Sequence, residues 1–200
     1  MEKITFCIPS RTNLRYLKTC IPSIRKNAYR KDHDIIIFVD SDEDGTIEWL
    51  EQVKDQYNLS YHVNPELGKH LYGIGKAYDY CIEKSTTDIF MIFHADMMLG
   101  KDADLNAYKH LKNKIAVCAT RIEPPIHPNA GEKILQDFGM WPEEFKENEF
   151  GEYVLKLFPS LKLPEISLPL ISTDATLPLS TSDKNVENGI SVLPVIEPGF

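Results

Sequence analysis

Apolar and polar positions alternate between two periods along the first 120 residues, and the switching predicts the fold. Ile4-Thr5-Phe6-Cys7-Ile8 is a short β-forming run that Pro9-Ser10 ends. Leu14, Leu17, Ile21 and Ile24 then recur at helical spacing, opposite Arg15, Lys18, Arg25 and Lys26. Thr12 or Asn13 suits the cap of that helix, and Pro22 predicts a kink or break inside it. A buried strand over Asp34–Val39 gives way to an acidic turn, Asp40-Ser41-Asp42-Glu43-Asp44-Gly45. Thr46 opens the next helix, with Ile47, Leu50, Val53 and Tyr57 as its stripe, and Leu59–Val63 alternates as a third strand. A glycine-containing loop, Gly68 to Gly75, leads into a helix over Tyr72–Lys84 that turns Ile74, Tyr78, Cys81 and Ile82 inward.

The run the rest is organised around is Asp88-Ile89-Phe90-Met91-Ile92-Phe93, unbroken in its apolarity and ended abruptly by His94-Ala95-Asp96. Such a run reads as a strand buried on both faces. A helix over about 102–112 and a strand over Ile115–Thr120 follow. Strands alternating with helices mean βαβ units, so the fold class is α/β, a mostly parallel Rossmann-like sheet with helices on both faces. Beyond Thr120 the pattern weakens. Three prolines exclude helix from Arg121–Pro128, whereas Lys133–Phe138 and Pro142–Phe150 suit short helices. From Gly151 on, Pro159, Pro164, Pro169, Pro178, Pro194 and Pro198 punctuate a stretch rich in Ser, Thr, Leu and Ile. The expected organisation is a domain over 1–150 and an irregular tail over 151–200.

Two hundred residues suffice for one well-cored domain. A net charge of −8 and no basic stripe exclude a general nucleic-acid binder. No apolar run reaches the length of a membrane span, and the strand-like start leaves no room for a signal peptide. Cys7, Cys20, Cys81 and Cys118 are widely spaced in apolar contexts, as buried reduced thiols would be. The expectation is a soluble, cytoplasmic protein.

In a parallel sheet, ligands bind beyond the carboxyl ends of the strands. His94 and Asp96 fall there, two residues apart and therefore on one face of an extended chain. An imidazole and a carboxylate so placed can hold a divalent cation, and the cation a diphosphate; His127 can complete that shell. Asp40 ends the second strand and can accept from a base N–H or a ribose hydroxyl, although Asp40-Ser41-Asp42 equally suits a cap on a turn and the helix after it. Pro9-Ser10-Arg11 leaves the first strand at the same edge and suits a nucleotide, or is an ordinary strand-to-helix loop. Lys76 can meet a phosphate or lie solvated, and Arg121 can neutralise one. The glycine loop matches neither a Walker loop nor a dinucleotide fingerprint. Asp42 and Asp44 read as turn and cap residues. Glu143 and Glu144, beside Trp141, offer a general base, as do Asp137 and Glu123; an acidic first helical turn accounts for the same letters.

Taken together, these residues over roughly 3–150 resemble the family 2 glycosyltransferases with the GT-A fold. Pro9-Ser10-Arg11 stands where that family has a Pro-Ser/Thr loop, Asp40 where it has a base-contacting Asp, and His94-Ala95-Asp96 where it has Asp-x-Asp. Ala77-Tyr78-Asp79 occupies the family's preceding helix, with Tyr78 and Asp79 in place of Arg and Asn. The resemblance implies a UDP- or GDP-sugar donor contacted by Pro9, Ser10, Arg11, Asp40, Lys76, Asp79 and Ala95. It further implies Mn2+ or Mg2+ at Asp96, and transfer with inversion to a glycan, lipid or protein acceptor. Against that pattern, 151–200 reads as a truncated or replaced acceptor region. Two alternatives remain: a nucleotide-binding module without turnover, and a nucleotidyltransferase, although the loop after strand one is not glycine-rich and basic.

Overall fold

The computed structural model describes residues 1–112, 116–125, 133–157 and 192–194. Four parallel strands form the main sheet in the order β3-β2-β1-β4: β1 is Thr5–Arg11, β2 Asp34–Ser41, β3 Leu59–Val63 and β4 Phe90–Ile92. Helices α1 (Leu14–Asn27), α2 (Thr46–Val53), α3 (Gly73–Lys84) and α4 (Ala103–His110) alternate with them. The period-2 rule sorts the core. Phe6 and Ile8 of β1 and Ile35, Ile37 and Val39 of β2 join Leu17, Ile21 and Ile24 of α1 in one buried cluster. Cys7, Ile36 and Phe38 point to the other face, against Ala77 and Cys81 of α3.

Two prolines sit inside elements that they were expected to end, in the case of Pro9, or to kink or break, in the case of Pro22. Thr5 donates its N–H to the Ile89 carbonyl, and Phe93 donates its N–H to the Cys7 carbonyl, so the odd positions of β1 bond toward β4. Pro9 is the next odd position, beyond the end of β4, and its missing N–H costs no ladder bond there. Helix α1 likewise runs unbroken through Pro22. An interior proline costs about 3 kcal/mol. Burying each Leu or Ile of the stripe on both sides of it returns about 1.5–3 kcal/mol.

Strand β4 departs most from expectation. Met91 packs toward the core, but Phe90 and Ile92 are 45% and 42% exposed. By register they share the face of Cys7, where α3 covers β1 and β2 and stops short of β4. The sheet also ends there among the described residues. The small side chains of Ala116–Ala119 line a cleft of about 960 Å3 beside β4 instead of pairing with it. The fifth strand, β5, is Thr120–Glu123, the stretch that contains Ile122. Ile122 gains a cluster with Phe138, Phe150 and Val154 that the alanines have no bulk to form.

Lys133–Leu135, expected as helix, is strand β6 instead, parallel to β5. Lys133 there meets the buried Glu123 carboxylate at 2.5 Å, a cross-strand pairing that local sequence does not display. β7 (Val192–Pro194) lies on the other side of β5. A single 3-10 turn, Pro142–Glu144, precedes α5 (Glu147–Leu157), which carries regular structure past residue 150. Gly139 adopts φ +108°, and a Cβ there would lie 2.4 Å from the Glu144 carbonyl oxygen, so only glycine fits. Three of the four thiols, those of Cys7, Cys20 and Cys81, are buried, but Cys118 is exposed. Ile74, expected to face inward, is exposed too, because Ala77 and Cys81 already fill the contact with the sheet. Among the described residues no helix is long and apolar enough to cross a membrane.

Candidate functional site

The carboxyl ends of β1, β2 and β4 point the same way, as a parallel sheet requires; β4 stops opposite Cys7, four positions before β1 does. β1 remains paired with β2 out to Arg11 and Ser41, and the Thr12 N–H donates to the Ser41 carbonyl at 3.2 Å. The chain then turns through Thr12, at φ +57°, into α1. Ser10 is buried, and its hydroxyl has no hydrogen-bond partner among the described residues. Pro9 is half-buried and Arg11 exposed. The acidic turn does the capping its composition predicts, though partly for a distant helix. Asp44 accepts the Thr46 N–H at 3.2 Å and also the Leu14 N–H at 2.7 Å, so it caps α1 from across the crevice. Asp42 accepts the Ile47 N–H at 3.2 Å.

Asp40 is buried, with three protein donors on its carboxylate. Asn64 Nδ2 and the Tyr72 N–H each lie at 2.8 Å, and the Gly73 N–H at 3.0 Å. A carboxylate accepts about four hydrogen bonds, so roughly one position remains for a ligand. Its negative charge stands at the N-terminus of α3, where the backbone dipoles favour it. The expected cap on α2 is thus a cap on α3, more than 30 residues downstream. Sequence reasoning did not find Asn64, whose side chain also bonds the His70 carbonyl at 2.6 Å. Its only local signal is Asn64-Pro65 at the end of β3.

At the end of β4 the chain closes a tight turn. The Met97 N–H donates to the His94 carbonyl at 3.2 Å, and Cys20 Sγ–H donates to the same oxygen at 3.6 Å. Ala95 is buried, while His94 and Asp96 are half-buried. The Tyr78 ring of α3 leans against the His94 imidazole, centroids 6.0 Å apart and planes tilted by 56°. Burial, then the charge of Asp96, pushes the Tyr78 phenol well above its usual range. The same two causes, in the same order, raise the Cys20 thiol. Tyr16 is raised as well, chiefly by burial, with Asp96 adding to it against the nearby Arg15. The Asp96 carboxylate is therefore near enough to Tyr16, Cys20 and Tyr78 to raise all three groups. Lys76 and Asp79 are exposed on α3; Lys76 Nζ stands 5.4 Å from the Tyr72 ring centroid. His127 lies outside the described residues. Among the described residues no three metal-capable side chains converge.

The base candidates divide. Glu143 takes a two-pronged hydrogen bond from Arg15, with Nε at 2.8 Å from Oε1 and Nη2 at 2.5 Å from Oε2. The Arg15 guanidinium also lies 4.6 Å from the Trp141 ring centroid. This hydrogen bond holds the Glu143 carboxyl below its usual value. A cleft of about 460 Å3 separates Pro142 and Glu143 from Leu14, Lys18 and Asp44, so Glu143 reaches the start of α1. Asp137 is exposed and accepts the Gly139 N–H at 2.9 Å; Glu144 is exposed. Glu123 is buried between Lys133 at 2.5 Å and Arg121 at 3.0 Å, a poor place from which to collect a proton.

The chain matches the model of a family described as Glycosyl transferase family 2 over residues 5–159. No curated protein matches it. Among solved structures, the mannosyltransferase PcManGT from Pyrobaculum calidifontis, determined in complex with GDP-Man and Mn2+, superposes with a TM-score of 0.51 at 16% identity. That alignment covers 62% of this chain and 36% of that one. TarS 1-349 from S. aureus in complex with UDP-GlcNAc superposes at 0.48 and 15% identity, over 55% of this chain and 31% of that one. The chain thus spans about a third of the length of each. At such identity the likeness to the mannosyltransferase is one of fold, a GT-A-type parallel sheet.

Proposed function

Because the chain belongs to glycosyl transferase family 2, we propose that it transfers a sugar from a nucleoside diphosphate donor to an acceptor hydroxyl, with inversion. The observation that carries this reading is the meeting of three strand ends at one edge. Ser10 is there with a buried hydroxyl that has no partner among the described residues, Asp40 with roughly one acceptor position left, and His94 and Asp96 in the turn that follows β4. Pro9, Ser10 and Arg11 line the nucleotide, Asp40 receives its base or ribose, and Ala95 lies under the diphosphate. Lys76 and Asp79 of α3 flank the donor. The donor is a UDP- or GDP-sugar, a class that the GDP-Man in the mannosyltransferase complex supports.

Cations that also bind substrate phosphates usually take one or two protein ligands and fill the rest with phosphate and water. The pair at the end of β4 fits that need, so Asp96 and His94, with His127 as a third ligand, would hold Mn2+ or Mg2+. Bound there, the cation would offset the charge that develops on the leaving diphosphate. The acceptor, a hydroxyl of a glycan, lipid or protein, loses its proton to a carboxylate. Glu143 is the leading base, with Asp137 and Glu144 as alternatives. A base works best with a pKa near the working pH, so Glu143 serves once Arg15 releases it.

The test is release of UDP or GDP from a panel of nucleotide sugars, with Asp96→Ala beside the unaltered protein. Release that depends on Asp96 supports the reading; no release from any donor contradicts it. The ion pair that depresses Glu143 favours a second reading, a nucleotide-binding module without turnover. It would show affinity for UDP or GDP and no product.

A further inference from the structure

His94 is the half-buried histidine of the carboxyl edge, and its surroundings differ from those of an ordinary packed imidazole. Its backbone is committed: the N–H donates to Met97 Sδ at 3.5 Å, and the carbonyl accepts from Met97 and Cys20. Its ring is not, since neither ring nitrogen has a hydrogen-bond partner among the described residues. The contact that orients the ring is the Tyr78 face, 6.0 Å away. Tyr78 is itself held: it packs with the Cys7, Phe38 and Cys81 cluster, and its hydroxyl donates to the Phe93 carbonyl at 3.5 Å. A half-buried imidazole with no hydrogen-bond partner among the described residues keeps a ring nitrogen for water or a ligand, and a divalent cation is a ligand that nitrogen suits.

We propose that His94 gives this edge a mixed nitrogen–oxygen cation site, with Tyr78 as the residue that positions its imidazole. The site would then favour a nitrogen-seeking divalent cation such as Co2+ over Mg2+. Mg2+ takes hard oxygen ligands in near-ideal octahedra and gains little from an imidazole. Later first-row cations bind nitrogen progressively better, in the order Mn2+, Fe2+, Co2+, Ni2+. With one carboxylate rather than two, the protein contributes a single negative charge, and nitrogen affinity carries more of the selection. The inference rests on the reading above, that a nucleoside diphosphate binds here with a cation.

The experiment is titration of UDP and GDP into the protein with Mg2+, Mn2+ or Co2+ in turn, each affinity corrected for metal–nucleotide pairing in solution. Pulsed electron paramagnetic resonance of the Mn2+ complex then reads coupling to 14N. The unaltered protein should prefer Co2+ to Mg2+ by about tenfold or more and show the nitrogen coupling. His94→Asp should still bind nucleotide, lose the coupling and abolish the preference. Tyr78→Leu should lower the Co2+ affinity about tenfold, the scale on which groups that orient a ligand act, whereas Tyr78→Phe, which keeps the ring, should not. Equal preference in the unaltered protein and His94→Asp, or no nitrogen coupling, overturns the proposal and leaves the diphosphate reading standing. Tyr78→Leu behaving as the unaltered protein removes the positioning role. Absence of nucleotide binding with every cation overturns both.

Discussion

The parallel sheet carries a histidine near an aspartate at each of its two edges, and the two pairs are built to opposite purposes. At the amino edge, His33 and Asp104 are both fully buried. Nδ1 of His33 accepts the Ile4 N–H at 3.0 Å, so Nε2 carries the hydrogen donated to Asp104 at 2.9 Å. Asp104 also takes the N–H groups of Tyr29 at 2.8 Å and Arg30 at 3.2 Å. That pair ties the starts of β1 and β2 to α4 and leaves neither ring nitrogen for a ligand. At the carboxyl edge, His94 and Asp96 are half-buried, and the imidazole lies beside the Tyr78 ring with no hydrogen bond to a described residue. One pair spends its polar groups on the fold; the other keeps its imidazole for something the fold does not supply.

Removing each histidine is the strongest way to break this comparison. His33→Ala should cost on the order of 2–4 kcal/mol, because it opens a cavity and strips a buried carboxylate of one donor. His94→Ala should change stability by about 0.5 kcal/mol or less, since no side-chain hydrogen bond to a described residue is lost. Urea unfolding of the two variants measures the contrast, and equal losses would erase it.

Acid should separate the edges next. Burial pushes the Asp104 carboxyl up, but His33 and the backbone N–H groups of Tyr29, Arg30 and Leu105 outweigh it, and the net shift is downward. The folded state then binds that proton less tightly than the unfolded one. Its stabilisation is present above the unfolded value of about 3.9 and is lost as pH falls through the folded value. Asp104→Asn should flatten the acid limb of the stability–pH curve below about pH 4. An unchanged limb would place the acid sensitivity elsewhere.

The smallest effect is expected at Arg15. Its pair with Glu143 is exposed, so Arg15→Ala should leave thermal unfolding nearly unmoved. The same change should raise the Glu143 carboxyl back toward the ordinary glutamate range, read by the 13C shift of its side chain during an NMR pH titration. A large stability loss would mean that the ion pair, with Trp141, is a structural clasp.

How far each edge was legible follows from how local its interactions are. Strand β3 and the starts of α2 and α4 were readable, because period and capping act within a few residues. Asp42 and Asp44 were legible as caps for the same reason. The Asp44 bond to Leu14 spans 30 positions and the Asp40 bond to Gly73 spans 33, and no window of sequence displays either. The apolar run at β4 predicted burial on both faces, but an apolar run records what a strand can bury, not whether a neighbour arrives to cover it. Phe90 and Ile92 are the result. Lys133 misled in the other direction: its helical context lost to a strand register that brings it to Glu123. The candidate residues at strand ends could be placed there because chain order fixes where a parallel strand stops; Tyr78 and Asn64 make their contacts across elements and left little trace.

The most direct measurement is calorimetric titration of UDP and GDP, with and without Mn2+, into the unaltered protein and Asp96→Ala. The account predicts nucleotide binding that strengthens with Mn2+ and loses that dependence in the variant, with no matching loss of stability. Binding that is absent from both proteins, or identical in both, would contradict it and leave a glycosyltransferase fold without a cation-assisted donor site at the end of β4.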